Sequence, residues 1–225
     1  MADFIYEKPF QIEKDPTRYR KLTGDFVSIA ESGGRKILKV ETKGLEILAA
    51  AAVSDLSFYL RTSHLEKLRK IIDDPEATDN DRFVAYVMIR NSVISSGEEL
   101  PWCQDTGTAI VIGKKGEDVY TGVNDAFYLS KGVFQTFHDK NLRYSQIVPY
   151  SMFEEKNTGT NLPAQIDIYS TEGNSYEFLF ITKGGGSANK TFLYQQSKSL
   201  LNEESLEKFV REKIKDLGTS ACPPY

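Results

Sequence analysis

An α+β fold is expected from this sequence: a helical first part, then a mixed or antiparallel sheet packed by helices. Two observations predict it. Leu45, Leu48, Ala49, Ala52, Leu56, Tyr59 and Leu60 recur at spacings of three and four, the signature of one helix face. Beyond Pro101 the period shortens, and Ala164-Gln165-Ile166-Asp167-Ile168-Tyr169 alternates in the manner of a strand. Helices and strands that segregate along the chain, without internal repeats, favour α+β over an alternating α/β order.

The elements follow in order. The first forty or so residues hold short apolar patches, Phe26-Val27-Ser28-Ile29 and Ile37-Leu38-Lys39-Val40, among prolines and glycines, and read as an extended arm with one or two strands. Residues 45–60 form a helix and residues 63–72 a second, closed by Asp73-Asp74-Pro75 because proline disfavours helical geometry in the residue before it. Thr78 or Asp79 caps a third helix, with Phe83, Val84, Val87, Met88, Asn91 and Ile94 as its buried stripe and Gly97 as its stop. Residues 108–113 form a strand that pairs with 118–121 across Lys114-Lys115-Gly116, and 124–137 a helix interrupted at Gly132. The strands 164–169 and 176–182 pair across Glu172-Gly173-Asn174. Two helices, 190–201 and 205–217, close the chain, with Asn202 or Ser205 as cap and Gly218 as stop.

Composition bounds the function. A chain of 225 residues with 40% hydrophobic and 27% charged residues buries an ordinary core. Its net charge of -4 gives no basic footprint for general nucleic-acid binding. The longest apolar run, 47–53, is far too short to span a bilayer, and the start has no apolar signal-peptide core, so a cytoplasmic protein without nucleic-acid or membrane partners is expected. Cys103 and Cys222 are the two cysteines, separated by 222 - 103 = 119 residues, with no short zinc spacing. His64 and His138 have no partner at metal spacing and read as surface or cap residues. The ending Ala221-Cys222-Pro223-Pro224-Tyr225 reads as a cut, so the chain is expected to be the front of a longer protein.

Four strings hold chemistry. Pro101-Trp102-Cys103-Gln104-Asp105-Thr106-Gly107-Thr108-Ala109 places a thiol, an amide, a carboxylate and two hydroxyls at the entry to a strand. Its bland reading is a buried cysteine with turn-forming Asp and Gly. Asn141-Leu142-Arg143-Tyr144-Ser145 offers a guanidinium suited to bidentate recognition of a carboxylate, although most arginines are surface residues. Asn157-Thr158-Gly159-Thr160-Asn161-Leu162-Pro163-Ala164 is a turn dense in small polar groups, either a second wall of the same pocket or an Asx-rich connection. In Lys183-Gly184-Gly185-Gly186-Ser187-Ala188-Asn189-Lys190-Thr191, glycines between a strand and a helix start let backbone N–H groups converge on an anion. The same string nearly matches the nucleotide phosphate loop at Gly184, Lys190 and Thr191, with Asn189 where that motif has its second glycine. A plain flexible turn is the alternative to both.

The strings 101–109, 157–164, 183–191 and 218–225 together resemble the class I fumarases, oxygen-sensitive iron-sulfur fumarate hydratases whose relatives include the L-tartrate dehydratase alpha subunit. The resemblance runs over essentially the whole chain. It implies an arm over 1–44 and an N-terminal catalytic domain over 45–225, continued by a C-terminal domain, in a full-length homodimer. It also implies a [4Fe-4S] cluster held by three cysteines, of which Cys103 and Cys222 match two and the third lies beyond Tyr225. Gln104, Asp105, Arg143 and Gly186 are implied to face the substrate, with Asp105 shuttling a proton or orienting bound water. The implied reaction interconverts fumarate and L-malate, with a tartrate-type hydroxy-diacid as the alternative, and the piece alone is expected to be inactive. Two readings of another class stand beside it: a nucleotide-binding protein and a noncatalytic subunit.

Overall fold

The computed structural model describes residues 3–6, 16, 18–185 and 191–217. They confirm an α+β architecture and form two compact units, one of the described residues within 1–21 and 58–102, the other of those within 22–57 and 103–217.

The smaller unit is built on α2 (Thr62–Asp73) and α3 (Asp79–Ser95), packed against each other. Thr78 caps α3 as expected: its hydroxyl accepts the Asp81 N–H while the Asp81 carboxylate accepts the Thr78 N–H, so two orphan donors are satisfied reciprocally. The expected buried stripe does not hold. Phe83 is 64% exposed, and Val84, Val87 and Ile94 are exposed as well. The inner face shares half-buried Met88 with that stripe but otherwise runs through the small residues Ala85, Ser92 and Ser95, one step round the helix. Ser95 Oγ donates to Phe58 O at 2.8 Å, a bond that a large apolar residue would displace. Asn91, expected within the stripe, is exposed and donates from Nδ2 to Trp102 O at 2.6 Å.

The larger unit carries the sheets. β1 (Val27–Ser32) and β2 (Arg35–Val40) form an antiparallel hairpin, and α1 (Thr42–Phe58) follows directly. β3 (Thr108–Gly116) is the central strand of a second sheet, between β7 (Gln165–Thr171), which runs parallel to it, and β8 (Tyr176–Lys183), which runs antiparallel. Parallel pairing needs a crossover. It is supplied here by α4 (Asp125–Asp139) and the small hairpin of β5 (Ile147–Pro149) and β6 (Glu155–Asn157). The core forms where Val111 of β3 meets Leu45 and Ala49 of α1 and Leu129 of α4, flanked by Ile166, Phe178 and Phe180.

Two strand pairings differ from expectation. The stretch 118–121 does not return against β3, because β3 itself continues through Gly116 and leaves no turn there. β4 (Val119–Tyr120) lies parallel to β2 instead, and Arg35 bridges to Glu117 at 2.7 Å and Asp118 at 3.0 Å. β7 and β8 are not neighbours either. Their four-residue connection, 172–175, spans the roughly 10 Å of two strand spacings and wraps the end of β3, where Gly116 N–H donates to Ser175 O. The most buried strand of this sheet takes the place with a partner on each edge.

Two helix expectations also change. Gly132 does not interrupt α4; a Cβ there would lie 2.3 Å from Glu46 O, so this glycine lets α4 and α1 touch. The helix expected over 190–201 is missing from its described part, since 191–197 is irregular and only Lys198–Leu200 forms a 3-10 turn. Phe192 and Tyr194 stack at 6.2 Å between centroids, which two residues at i and i+2 of a helix cannot do. The last helix, α5 (Glu203–Leu217), starts where Asn202 Oδ1 accepts the Ser205 N–H. Among the described residues no helix is long and apolar enough to cross a membrane.

Candidate active site

The ends of β3 and β8 meet at the loops singled out in the sequence. Gly107 takes φ +70°, a left-handed conformation that glycine adopts without penalty. Its absent side chain is equally necessary, because a Cβ would lie 2.4 Å from the Lys183 carbonyl and 2.7 Å from Gly184 N. The turn that carries Cys103, Gln104 and Asp105 is thus laid directly on the start of the glycine string. A Cβ on Gly184 would lie 3.1 Å from Asp105 Oδ2, and one on Gly185 3.6 Å from the same oxygen. Gly184 thus makes room for the Asp105 carboxylate, a use the sequence did not reveal, whereas a Cβ on Gly185 would sit at ordinary contact distance.

Arg143 arrives from the other side, on the loop after α4. That helix ends with Lys140 as its cap, and Asn141 at φ 51° turns the chain. Leu142 is buried and its N–H donates to Phe137 O at 3.0 Å, which fixes the start of the loop. Tyr144 stacks on Phe137. Thr106 then donates from Oγ1 to Arg143 O at 2.6 Å, and Thr108 from Oγ1 to Gln146 Oε1 at 2.8 Å. Two hydroxyls of the cysteine turn therefore hold the arginine loop beside it.

The polar turn 157–164 completes the cluster. Asn161, fully buried, accepts at Oδ1 from Ser145 N (2.8 Å) and Gln146 N (3.0 Å) and donates from Nδ2 to Gly107 O (2.9 Å). Asn157 donates from Nδ2 to Tyr144 O at 2.7 Å. Of the two sequence readings of this turn, the wall of a shared site fits these bonds better than a simple connection.

Cys103, Gln104, Asp105 and Arg143 therefore lie on two neighbouring, bonded loops, with Gln104 and Arg143 exposed and Cys103 and Asp105 partly buried. Gly186 and Cys222 lie outside the described residues. Among the described residues no group of three metal-ligating side chains converges. His138 is a surface residue, with Nδ1 3.0 Å from Asp139 Oδ1. The nucleotide-loop reading loses support, because such a loop leads into a helix and 191–197 is not helical.

A second polar cluster stands at the far end of β3. Lys115 Nζ reaches Asp125 Oδ2 at 2.7 Å and Thr121 Oγ1 at 2.6 Å, and Tyr176 donates its hydroxyl to the same carboxylate oxygen at 2.9 Å. Burial, and then the Asp125 carboxylate beside it, push the Tyr176 phenol well above its ordinary value, so it remains a donor. This cluster ties α4 to the sheet and contains none of the sequence candidates.

Comparison with known proteins identifies the family. The family model described as fumarate hydratase (Fumerase) matches residues 47–225. The anaerobic class I fumarate hydratase of Escherichia coli K12 is 54% identical over 222 residues, 99% of this chain and 40% of that protein. Fumarate hydratase 1, mitochondrial, of Leishmania major is 52% identical over 217 residues, 96% of this chain and 40% of its own length. The L(+)-tartrate dehydratase subunit alpha of Escherichia coli UTI89 is more distant, 28% identical over 168 residues, 71% of this chain and 52% of that subunit. The chain thus spans about 40% of the length of the fumarate hydratases it matches. It belongs to the fumarate hydratase family of class I type.

Proposed function

We propose that this chain is the N-terminal catalytic portion of an iron-sulfur hydro-lyase that interconverts fumarate and L-malate, completed by a C-terminal domain within a longer homodimeric protein. The observation that carries the reading is the Thr106–Arg143 bond together with the seat of Gly107 on Lys183 and Gly184. They join an acidic group, a guanidinium and a thiol in one loop cluster. Identity of 54% to an anaerobic class I fumarate hydratase, against 28% to a tartrate dehydratase alpha subunit, favours fumarate over tartrate.

The donor set fits a cluster as far as it is described. Cys103 is a partly buried thiol with no disulfide, on a turn fixed through Gly107, and thiolates are the ligands that select iron-sulfur clusters. Cys103 and Cys222 would hold it with a third cysteine from the remainder of the protein. When bound, the cluster supplies a Lewis acid that makes hydroxide a tolerable leaving group without any redox change.

The chain's own residues do the rest. Arg143, exposed at the loop tip with its backbone anchored, clamps one substrate carboxylate through two N–H donors. The Gly186 amide donates to a carboxylate, and the Gln104 amide, also exposed, fixes the substrate's orientation. Asp105, seated against Gly184 and Gly185, handles the proton of the water that leaves malate or adds to fumarate. The proton at C3 of malate goes to a base supplied by the rest of the protein. Loss of that proton and of the hydroxyl at C2 yields fumarate and water, and addition is the reverse.

The test uses the whole protein, reconstituted anaerobically with iron and sulfide. Cluster absorbance, together with faster turnover of L-malate than of tartrate, is the expected result. Absence of cluster and of fumarate hydration overturns the reading, and preference for tartrate replaces the substrate.

A further inference from the structure

We propose that Asn161 is a positioning residue of this site, one side chain that sets the Cys103–Asp105 turn and the Arg143 loop relative to each other. The inference rests on the hydro-lyase reading of the same loops. Asn161 has all the features that such a part requires. It is fully buried, yet each of its bonds goes to backbone of another loop: Oδ1 to Ser145 N and Gln146 N, and Nδ2 to Gly107 O. Gly107 stands two residues after Asp105, and Ser145 two residues after Arg143.

The residue type is narrowly determined. At φ 55° the backbone is left-handed, where Asn is tolerated far better than most side chains. The side chain must accept two N–H groups at one atom and donate to a carbonyl from another, which the short, planar carboxamide of asparagine does. Glutamine carries the same group but is one methylene longer. An aspartate keeps the shape and both acceptor bonds but has no donor for Gly107 O when ionised. Asn161 touches neither Asp105 nor Arg143 through its recorded bonds, so its effect on the chemistry passes through the loops.

Two substitutions separate the two loops, assayed at neutral pH in the whole protein loaded with its cluster. Asn161→Asp releases the cysteine turn alone, so kcat for L-malate should fall roughly tenfold, the worth of one buried hydrogen bond, while KM stays within about twofold. Asn161→Gly tolerates the left-handed backbone but removes all three bonds, so kcat should fall and KM rise together. Amide hydrogen exchange provides a readout that does not depend on turnover. The Ser145 and Gln146 amides should remain protected in wild type and in Asn161→Asp and exchange rapidly in Asn161→Gly, with the β3 amides protected in all three.

An unchanged kcat in Asn161→Asp overturns the proposal. So does loss of β3 protection along with Ser145 in Asn161→Gly, which marks a general structural role. A wild-type protein that hydrates no fumarate overturns the hydro-lyase reading, and the exchange result then decides separately whether Asn161 ties the two loops. If Asn161→Gly fails to fold, the kcat and KM of Asn161→Asp decide.

Discussion

The α1–α4 seam and the loops around Asn161 belong to the same unit and are held by opposite means. The seam is a contact of surfaces: Leu129, Val133 and Phe137 are fully buried, and Gly132 brings the α4 backbone against Glu46 and Ala50. The loops are tied to one another by side-chain bonds to backbone, from Thr106, Asn157 and Asn161. The seam tolerates little change of volume, and the loops little change of hydrogen-bonding capacity. Stability should therefore reside mainly in the first region and site geometry in the second.

Substitutions in the two regions should separate accordingly. Phe137→Ala empties a fully buried aromatic site and should cost about 4 kcal/mol in urea denaturation. A cost under about 1 kcal/mol would show that the seam relaxes freely. Gly132→Ala has two opposed effects, an overlap with Glu46 O at 2.3 Å against a gain in helix propensity of about 1 kcal/mol. The overlap should win, for a net loss of about 2 kcal/mol. Thr106→Val removes one bond to Arg143 O and should cost only about 1 kcal/mol, yet it should raise KM for the dicarboxylate in the whole protein. Equal stability losses for Phe137→Ala and Thr106→Val would break the comparison.

The smallest effect concerns acid. Lys131 at 2.7 Å holds the Glu46 carboxyl below its ordinary value, with burial opposing and Lys43 assisting. A depressed folded value means that this bridge stabilises fully above the unfolded value near 4.5 and is lost as pH falls through the folded one. The stability of Glu46→Gln should accordingly change less than that of wild type between neutral pH and pH below about 4, measured by thermal melting.

Elements were more legible in the sequence than their neighbours. The three- and four-residue spacing from Leu45 found α1, and the short side-chain oxygen of Thr78 found the cap of α3. Alternation found β7, but alternation says nothing about which strand lies beside it, so β3 between β7 and β8 was out of reach. On α3 the large apolar residues misled, because close packing there uses Ala85, Ser92 and Ser95. Among the candidate loops, residue chemistry pointed to those of Cys103, Arg143 and Asn161, and the family strings to the first and last of these, with Arg143 as a substrate contact implied by the resemblance alone. The individual weight of Asn161 was hidden, since it comes from bonds to residues 15, 16 and 54 positions away. Its one local clue was an asparagine, tolerant of left-handed backbone, inside a turn of small polar groups.

Steady-state fumarate hydration by the whole, cluster-loaded protein, compared for wild type, Arg143→Ala and Asp105→Asn, bears most directly on the proposed site. Arg143→Ala should raise KM at least about tenfold through loss of a charge-assisted bidentate contact. Asp105→Asn should lower kcat by about a hundredfold or more with the cluster absorbance retained. Wild-type kinetics in both variants, with the cluster intact, would contradict the assignment of these loops as the substrate site.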